Sequence, residues 1–93
     1  MRIIWSRLAR DDVFAIADYY DGIDPDLAES IVDRIDGAAQ ILLTNPRIGP
    51  LVSQLGARNW NVPHAPFLLL YAVRGSEIEV RRVRHAASDW LPT

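Results

Sequence analysis

Residues 67–85 read Phe67-Leu68-Leu69-Leu70-Tyr71-Ala72-Val73-Arg74-Gly75-Ser76-Glu77-Ile78-Glu79-Val80-Arg81-Arg82-Val83-Arg84-His85. The opening seven are apolar at both alternating sets of positions, the pattern of a central strand buried on two faces. Arg74-Gly75-Ser76 supplies a hairpin turn, and Glu77–His85 alternates as the partner strand. The alternation slips inside that partner. Ile78 and Val80 share a face, whereas Val83 falls on the other with Arg81 and His85, and a β-bulge near Arg81-Arg82 is one explanation. Upstream, residues 58–62 set Arg58, Trp60 and Val62 against Asn59 and Asn61, and the Pro-flanked turn at 63–66 joins them to the central run. Residues 58–85 therefore predict a three-stranded antiparallel meander.

Further upstream the period changes. Residues 2–5 are a short apolar run that reads as a strand and stops at Ser6. Ser6 is an N-cap residue for a helix whose apolar stripe is Leu8 or Ala9, Val13, Ile16, Ala17 and Tyr20, with Asp11, Asp12 and Asp18 outside it. Asp21-Gly22 ends that helix, and Asp24-Pro25 starts a second as N-cap plus Pro at the first helical position. Leu27/Ala28, Ile31, Ile35, Ala38/Ala39 and Leu42 supply its stripe, and Thr44-Asn45-Pro46 closes it. The brief connection makes the helices an antiparallel hairpin. Residues 46–57, rich in Pro and Gly and without periodicity, predict a loop crossing from helices to sheet. The expectation is an α+β fold occupying residues 1–93 as a single domain: N-terminal strand, helix hairpin, three-stranded meander, short C-terminal tail.

Composition narrows the chemistry. A 93-residue chain with no Cys has no disulfide framework, thiolate zinc site or cysteine nucleophile. A domain of this size buries only about 60–65% of its unfolded surface, so a partner is expected to cover apolar area. The N-terminus lacks a continuous apolar signal region, and the longest apolar run, residues 67–73, is too short to span a bilayer. A cytoplasmic protein is expected. The net charge of −2 hides a division, because residues 1–45 hold four Arg against nine acids, which is −5, and residues 46–93 hold six Arg against three acids, which is +3. Every cation is a guanidinium, able to fork onto carboxylate or phosphate.

Among the residues able to do chemistry, His85 is the one general acid/base candidate near an Arg cluster, although a lone His at a strand end is more often structural. Ser88, His85 and Asp89 are too crowded in sequence to line up as a hydrolase triad. His64 and His85 make no metal-spacing motif, and neither metal nor cofactor is expected. Arg81, Arg82 and Arg84 with His85, Asp89 and Trp90 form the candidate target-binding surface. Their simpler reading is an edge strand protected by charge. Trp60 and Tyr71 are candidate partner-binding anchors whose default is core packing.

The order of these pieces resembles the RelE/ParE superfamily of toxins from type II toxin–antitoxin systems. Ile4-Trp5-Ser6 with Ala9 and Asp12 resembles the family's opening, and Ala28 through Leu42 followed by Asn45-Pro46 and Gly49 resembles its second helix and exit. The most specific stretch is Arg58 through Asp89, containing Ala65-Pro66-Phe67-Leu68-Leu69-Leu70-Tyr71 and Arg82-Val83-Arg84-His85-Ala86-Ala87-Ser88-Asp89. The ParE branch is the nearer match. The family often has Arg after the central Tyr, where this chain has Ala72, and Ala86 stands where a His-Tyr pair would continue. The resemblance implies a growth-inhibiting toxin neutralised by a cognate antitoxin, with DNA gyrase as target and operator DNA reached only through the antitoxin. It leaves two alternatives: a ribosome-dependent mRNA endonuclease, in which His85 and Arg58 would act on the scissile phosphate, and a non-toxic antitoxin-binding module.

Overall fold

The structure, a computed structural model, describes residues 1–52 and 56–87. Strand β1 (Arg2–Trp5) leads into helix α1 (Arg7–Asp21), and helix α2 (Pro25–Thr44) runs back beside it. Strands β2 (Leu51–Val52), β3 (Ala57–Asn61), β4 (Phe67–Arg74) and β5 (Glu77–His85) follow. The sheet order is β1-β5-β4-β3-β2, so the helix hairpin carries the chain from one sheet edge to the other. β1 joins β5 in parallel, and the remaining pairs are antiparallel.

The caps form as their chemistry requires. Ser6 Oγ accepts from the Ala9 N–H at 3.0 Å, and its hydroxyl donates to the Arg81 carbonyl at 2.8 Å. One side chain thus starts α1 and ties it to β5. Ser6→Ala is expected to lower stability by about 1–2 kcal/mol, read as a lower denaturant midpoint at unchanged m-value. Asp24 caps α2 through the Asp26 N–H at 3.0 Å, with Pro25 in the first turn.

The helices cover one face of the sheet. Ala9, Ile31, Ile35, Ala38, Ala39 and Leu42 pack on Phe67, Leu69, Tyr71, Ile78, Val80 and Val83. Of the alternatives left by the helical stripes, Ala9 and Ala28 are buried, and Leu8 and Leu27 are exposed. Leu68, Leu70 and Ala72 point to the other face and are buried as well, as the double-sided apolar run required. The bulge is where the slipped alternation put it: Tyr71 faces Val80 and Leu70 faces Arg82, so Arg81 is the extra residue and Val83 returns to the core.

Two expectations shift. Residues 46–57 are not loop throughout, because Leu51 and Val52 pair with Arg58 and Ala57 as a two-residue edge strand. The meander strand starting at Arg58 begins one residue earlier, at Ala57, and ends at Asn61, with the Val62 N–H still bonded to the Phe67 carbonyl at 2.8 Å. Gly49 makes this docking possible. Its N–H donates to the buried Tyr71 hydroxyl at 3.0 Å, and a Cβ there would overlap the Asn59 carbonyl.

Candidate functional site

The C-terminal half of β5 carries the candidate basic surface, and the bulge decides where each side chain goes. Arg81, the extra residue, reaches back to Glu79, its Nε 2.8 Å from Oε1. Glu79 lies opposite Ala72, on the face away from the helices. Arg84 lies opposite Leu68 on that same face and is half-buried. His85 lies opposite Phe67 on the helix side, its ring edge-on to the Phe67 ring at a centroid distance of 5.6 Å. Consecutive strand residues point to opposite faces, so Arg84 and His85 do not share a surface. Asp89 and Trp90 lie outside the described residues.

Arg82 is committed inside the fold. Its Nε and Nη2 donate to the two carboxylate oxygens of Asp12 at 2.8 and 2.9 Å. The same carboxylate accepts from the Val83 N–H at 2.9 Å. β1 stops pairing at Trp5 opposite Val80, which would leave the next stretch of β5 with a bare edge, and Asp12 from α1 covers it. Burial pushes the Asp12 pKa up, but the Arg82 and Val83 hydrogen bonds and the charges of Arg82 and Arg84 outweigh it, and the pKa lies below the usual aspartate value of 3.8. Arg82 is held correspondingly more firmly in its charged form by the Asp12 hydrogen bond.

The other candidates separate in the same way. Arg58 Nη1 donates to the Gly49 carbonyl at 2.9 Å and to the Arg47 carbonyl at 3.3 Å, so its guanidinium pins the loop before β2. Arg58 is level with Tyr71 on β4 and His85 with Phe67, about 13 Å apart along the strand at 3.3 Å per residue. The structure does not bring this pair together. Tyr71 is fully buried with its hydroxyl on Gly49, which replaces the partner-anchor reading with a packing role. Trp60 is half-buried against the core, and its buried indole N–H meets no acceptor among the described residues.

His85 Nδ1 accepts from the Ala87 N–H at 3.2 Å, which leaves Nε2 to carry the proton of the neutral ring. Around it Tyr19, Tyr20 and Phe67 frame a shallow apolar hollow. No cluster of three His, Asp or Glu side chains suited to a metal ion occurs among the described residues, and none of their helices is long and apolar enough to cross a membrane. Asp12 lies off the apolar stripe of its helix, and nothing local in the sequence marks its partner, 70 residues away.

Residues 3–90 match the family described as ParE toxin of type II toxin-antitoxin system, parDE. The chain is 30% identical over 86 residues to Toxin RelE2 of Caulobacter vibrioides, which takes in 92% of this chain and 96% of that protein. Among solved structures it is similar to a chain of the chromosomal ParDE TA system from P. aeruginosa, with a TM-score of 0.81 and 28% identity over 91% of this chain and 95% of that one.

Proposed function

Because the chain belongs to the ParE toxin family of type II toxin–antitoxin systems, we propose that it inhibits growth by binding DNA gyrase through protein contacts, and that a cognate antitoxin neutralises it. The observation that carries the choice against RNA cleavage is the separation of Arg58 from His85. Cleavage through a 2′-hydroxyl needs a base, a cation on the phosphate and an acid for the leaving oxygen within reach of one another. Arg58 Nη1 instead donates to the loop carbonyls of Arg47 and Gly49, and Arg58 lies about 13 Å along the sheet from His85.

In this reading Arg81 and Arg84 lie on the face away from the helices and meet the target, with Asp89 and Trp90 contributing from the following segment. Arg82 holds the strand through Asp12 rather than touching gyrase. The antitoxin covers apolar surface on the toxin in an interface above roughly 1,000 Å², and contact with operator DNA runs through the antitoxin.

The test sets a gyrase supercoiling assay beside a ribosome-bound mRNA cleavage assay. Supercoiling is expected to be inhibited and mRNA left intact. Arg81→Glu with Arg84→Glu, in a protein that still folds, should weaken inhibition by about tenfold or more, because charge reversal repels the surface that attracts the guanidinium groups. Asp11→Arg with Asp18→Arg should leave inhibition largely unchanged, and His85→Ala should alter it modestly, since no proton is transferred. Cleaved mRNA with unimpaired supercoiling would overturn the gyrase reading, as would loss of all toxicity in folded His85→Ala.

A further inference from the structure

Where β1 stops pairing, at Trp5 opposite Val80, the edge of β5 is finished by groups from Ser6 and α1. The Ser6 N–H donates to the Val80 carbonyl at 3.0 Å, and its hydroxyl donates to the Arg81 carbonyl at 2.8 Å. Successive carbonyls of a regular strand point to opposite sides, so one residue holds both only where the strand is irregular, and Ser6 grips the bulge itself. Beyond it, Asp12 takes the Val83 N–H at 2.9 Å and both prongs of Arg82. The bulge has two conceivable seats. With Val80 opposite Tyr71 and Val83 opposite Leu69, a single residue faces Leu70, and either Arg81 or Arg82 could fill that place without changing the register on either side. The residue found there is Arg82.

We propose that Asp12, with Ser6, is a positioning residue for target binding: it seats Arg82 opposite Leu70 and leaves Arg81 as the extra residue, so that Arg81 and Arg84 are the cations presented to the target. The inference rests on the reading of Arg81 and Arg84 as target contacts. Nothing in the two arginines themselves separates them, since they are the same side chain at adjacent positions and the apolar pattern of Val80 and Val83 is satisfied by either. Their surroundings do. Asp12, 15% exposed, meets Arg82 through a two-pronged, charge-assisted contact and accepts the Val83 N–H besides. The pair of Arg81 with Glu79 is 31% and 30% exposed, where solvent screening makes an ion pair weak. Ser6 favours the same seat. With the bulge moved to Arg82, Arg81 would continue the strand regularly from Val80, and its carbonyl would turn towards β4, away from the Ser6 hydroxyl. That move would also change the spacing of the cations beside Arg84 by one residue, about 3.3 Å along the strand, enough to mismatch a pair of forked contacts.

Cross-strand nuclear Overhauser contacts of Leu70 in the labelled full chain read the seat of the bulge, and supercoiling inhibition reads its use. The unsubstituted chain is expected to show Leu70 against Arg82. Asp12→Asn keeps an acceptor for Val83 and removes the charge, so the Leu70 contacts should divide between Arg81 and Arg82, and inhibition should weaken about fivefold at a temperature where the variant is folded. Ser6→Ala, which releases only the Arg81 carbonyl, should move the contacts in the same direction. Ile35→Val is the control for stability alone, because Ile35 lies in the core and makes none of these bonds. It should keep both the seat and the inhibition. Leu70 facing Arg82 alone in both Asp12→Asn and Ser6→Ala would overturn the proposal, as would a moved seat with unchanged inhibition, or inhibition weakened as much by Ile35→Val as by Asp12→Asn. If the unsubstituted chain leaves supercoiling unimpaired, the gyrase reading falls, and the Leu70 contacts still decide whether Asp12 and Ser6 set the seat.

Discussion

Gly49→Ala is expected to destabilise the chain by about 3 kcal/mol, combining an overpacked contact with the loss of buried hydrogen bonds. The added methyl would sit on the Asn59 carbonyl, 2.9 Å from its carbon and 3.0 Å from the Tyr71 ring. Backbone cannot yield as a flexible side-chain tip does, so the loop must lift. That breaks the Gly49 N–H bond to Tyr71 and the Arg58 bond to the Gly49 carbonyl together. In a domain of this size the change corresponds to roughly 12–24 °C in Tm. Tyr71→Phe isolates one component, leaving the Gly49 N–H without its acceptor at a cost of about 1–3 kcal/mol. Gly37→Ala is the control of opposite sign. Gly37 lies inside α2, a Cβ there would meet nothing within 4 Å, and the substitution should stabilise the chain by about 0.5–1 kcal/mol. Thermal unfolding of the three variants reads all of this. A Gly49→Ala protein as stable as the unsubstituted chain would contradict the docking of the loop on β3.

Breaking the Asp12–Arg82 fork should cost about 2–3 kcal/mol, since it strands a charged group and leaves the Val83 N–H unpaired at a partly buried edge. The side chains are 15% and 26% exposed, which keeps solvent from replacing the lost bonds in full. Asp12→Ala removes everything, whereas Asp12→Asn keeps an acceptor for Val83 and loses the charge. The pH dependence follows from the lowered pKa of Asp12. A carboxyl whose pKa is lower in the folded than in the unfolded chain stabilises the fold above the unfolded value and loses that contribution as pH falls through the folded one. The stability gap between the unsubstituted chain and Asp12→Asn should therefore be full at pH 6–7, shrink below the usual aspartate value of 3.8, and close in stronger acid. Urea unfolding at a series of pH values measures it, and a gap independent of pH would show that the carboxylate charge contributes nothing. The same fork restricts functional mutagenesis. Arg82→Glu would set two carboxylates against each other inside the fold, so loss of toxicity in that variant would report unfolding, and Arg81 with Arg84 are the residues to reverse.

The face bearing Arg81 and Arg84 is partly compensated, with Glu79 beside Arg81. The division of −5 and +3 along the sequence overstates the positive field of the C-terminal half, because Asp12 from the first half neutralises Arg82.

The helix starts and the break in strand alternation were determined by the sequence itself. Ser6 and Asp24-Pro25 start helices because a hydroxyl, a carboxylate and a fixed proline φ meet the needs of the first turn wherever they occur. The slipped alternation of Ile78, Val80 and Val83 pointed to an irregularity near Arg81-Arg82, because a strand's side chains alternate strictly, and the register makes it a bulge at Arg81. What each chemically able side chain is free to do was decided only by the tertiary structure. Arg58, Tyr71 and Arg82 read as candidates for contact or catalysis until the loop at Gly49 and the α1 carboxylate of Asp12 occupied them. The parallel pairing of β1 with β5, 75 residues apart, likewise has no local signal. A residue's type sets the bonds it is able to make, but strand register and helix packing choose the neighbour that takes them, and that choice depends on groups far away in the chain.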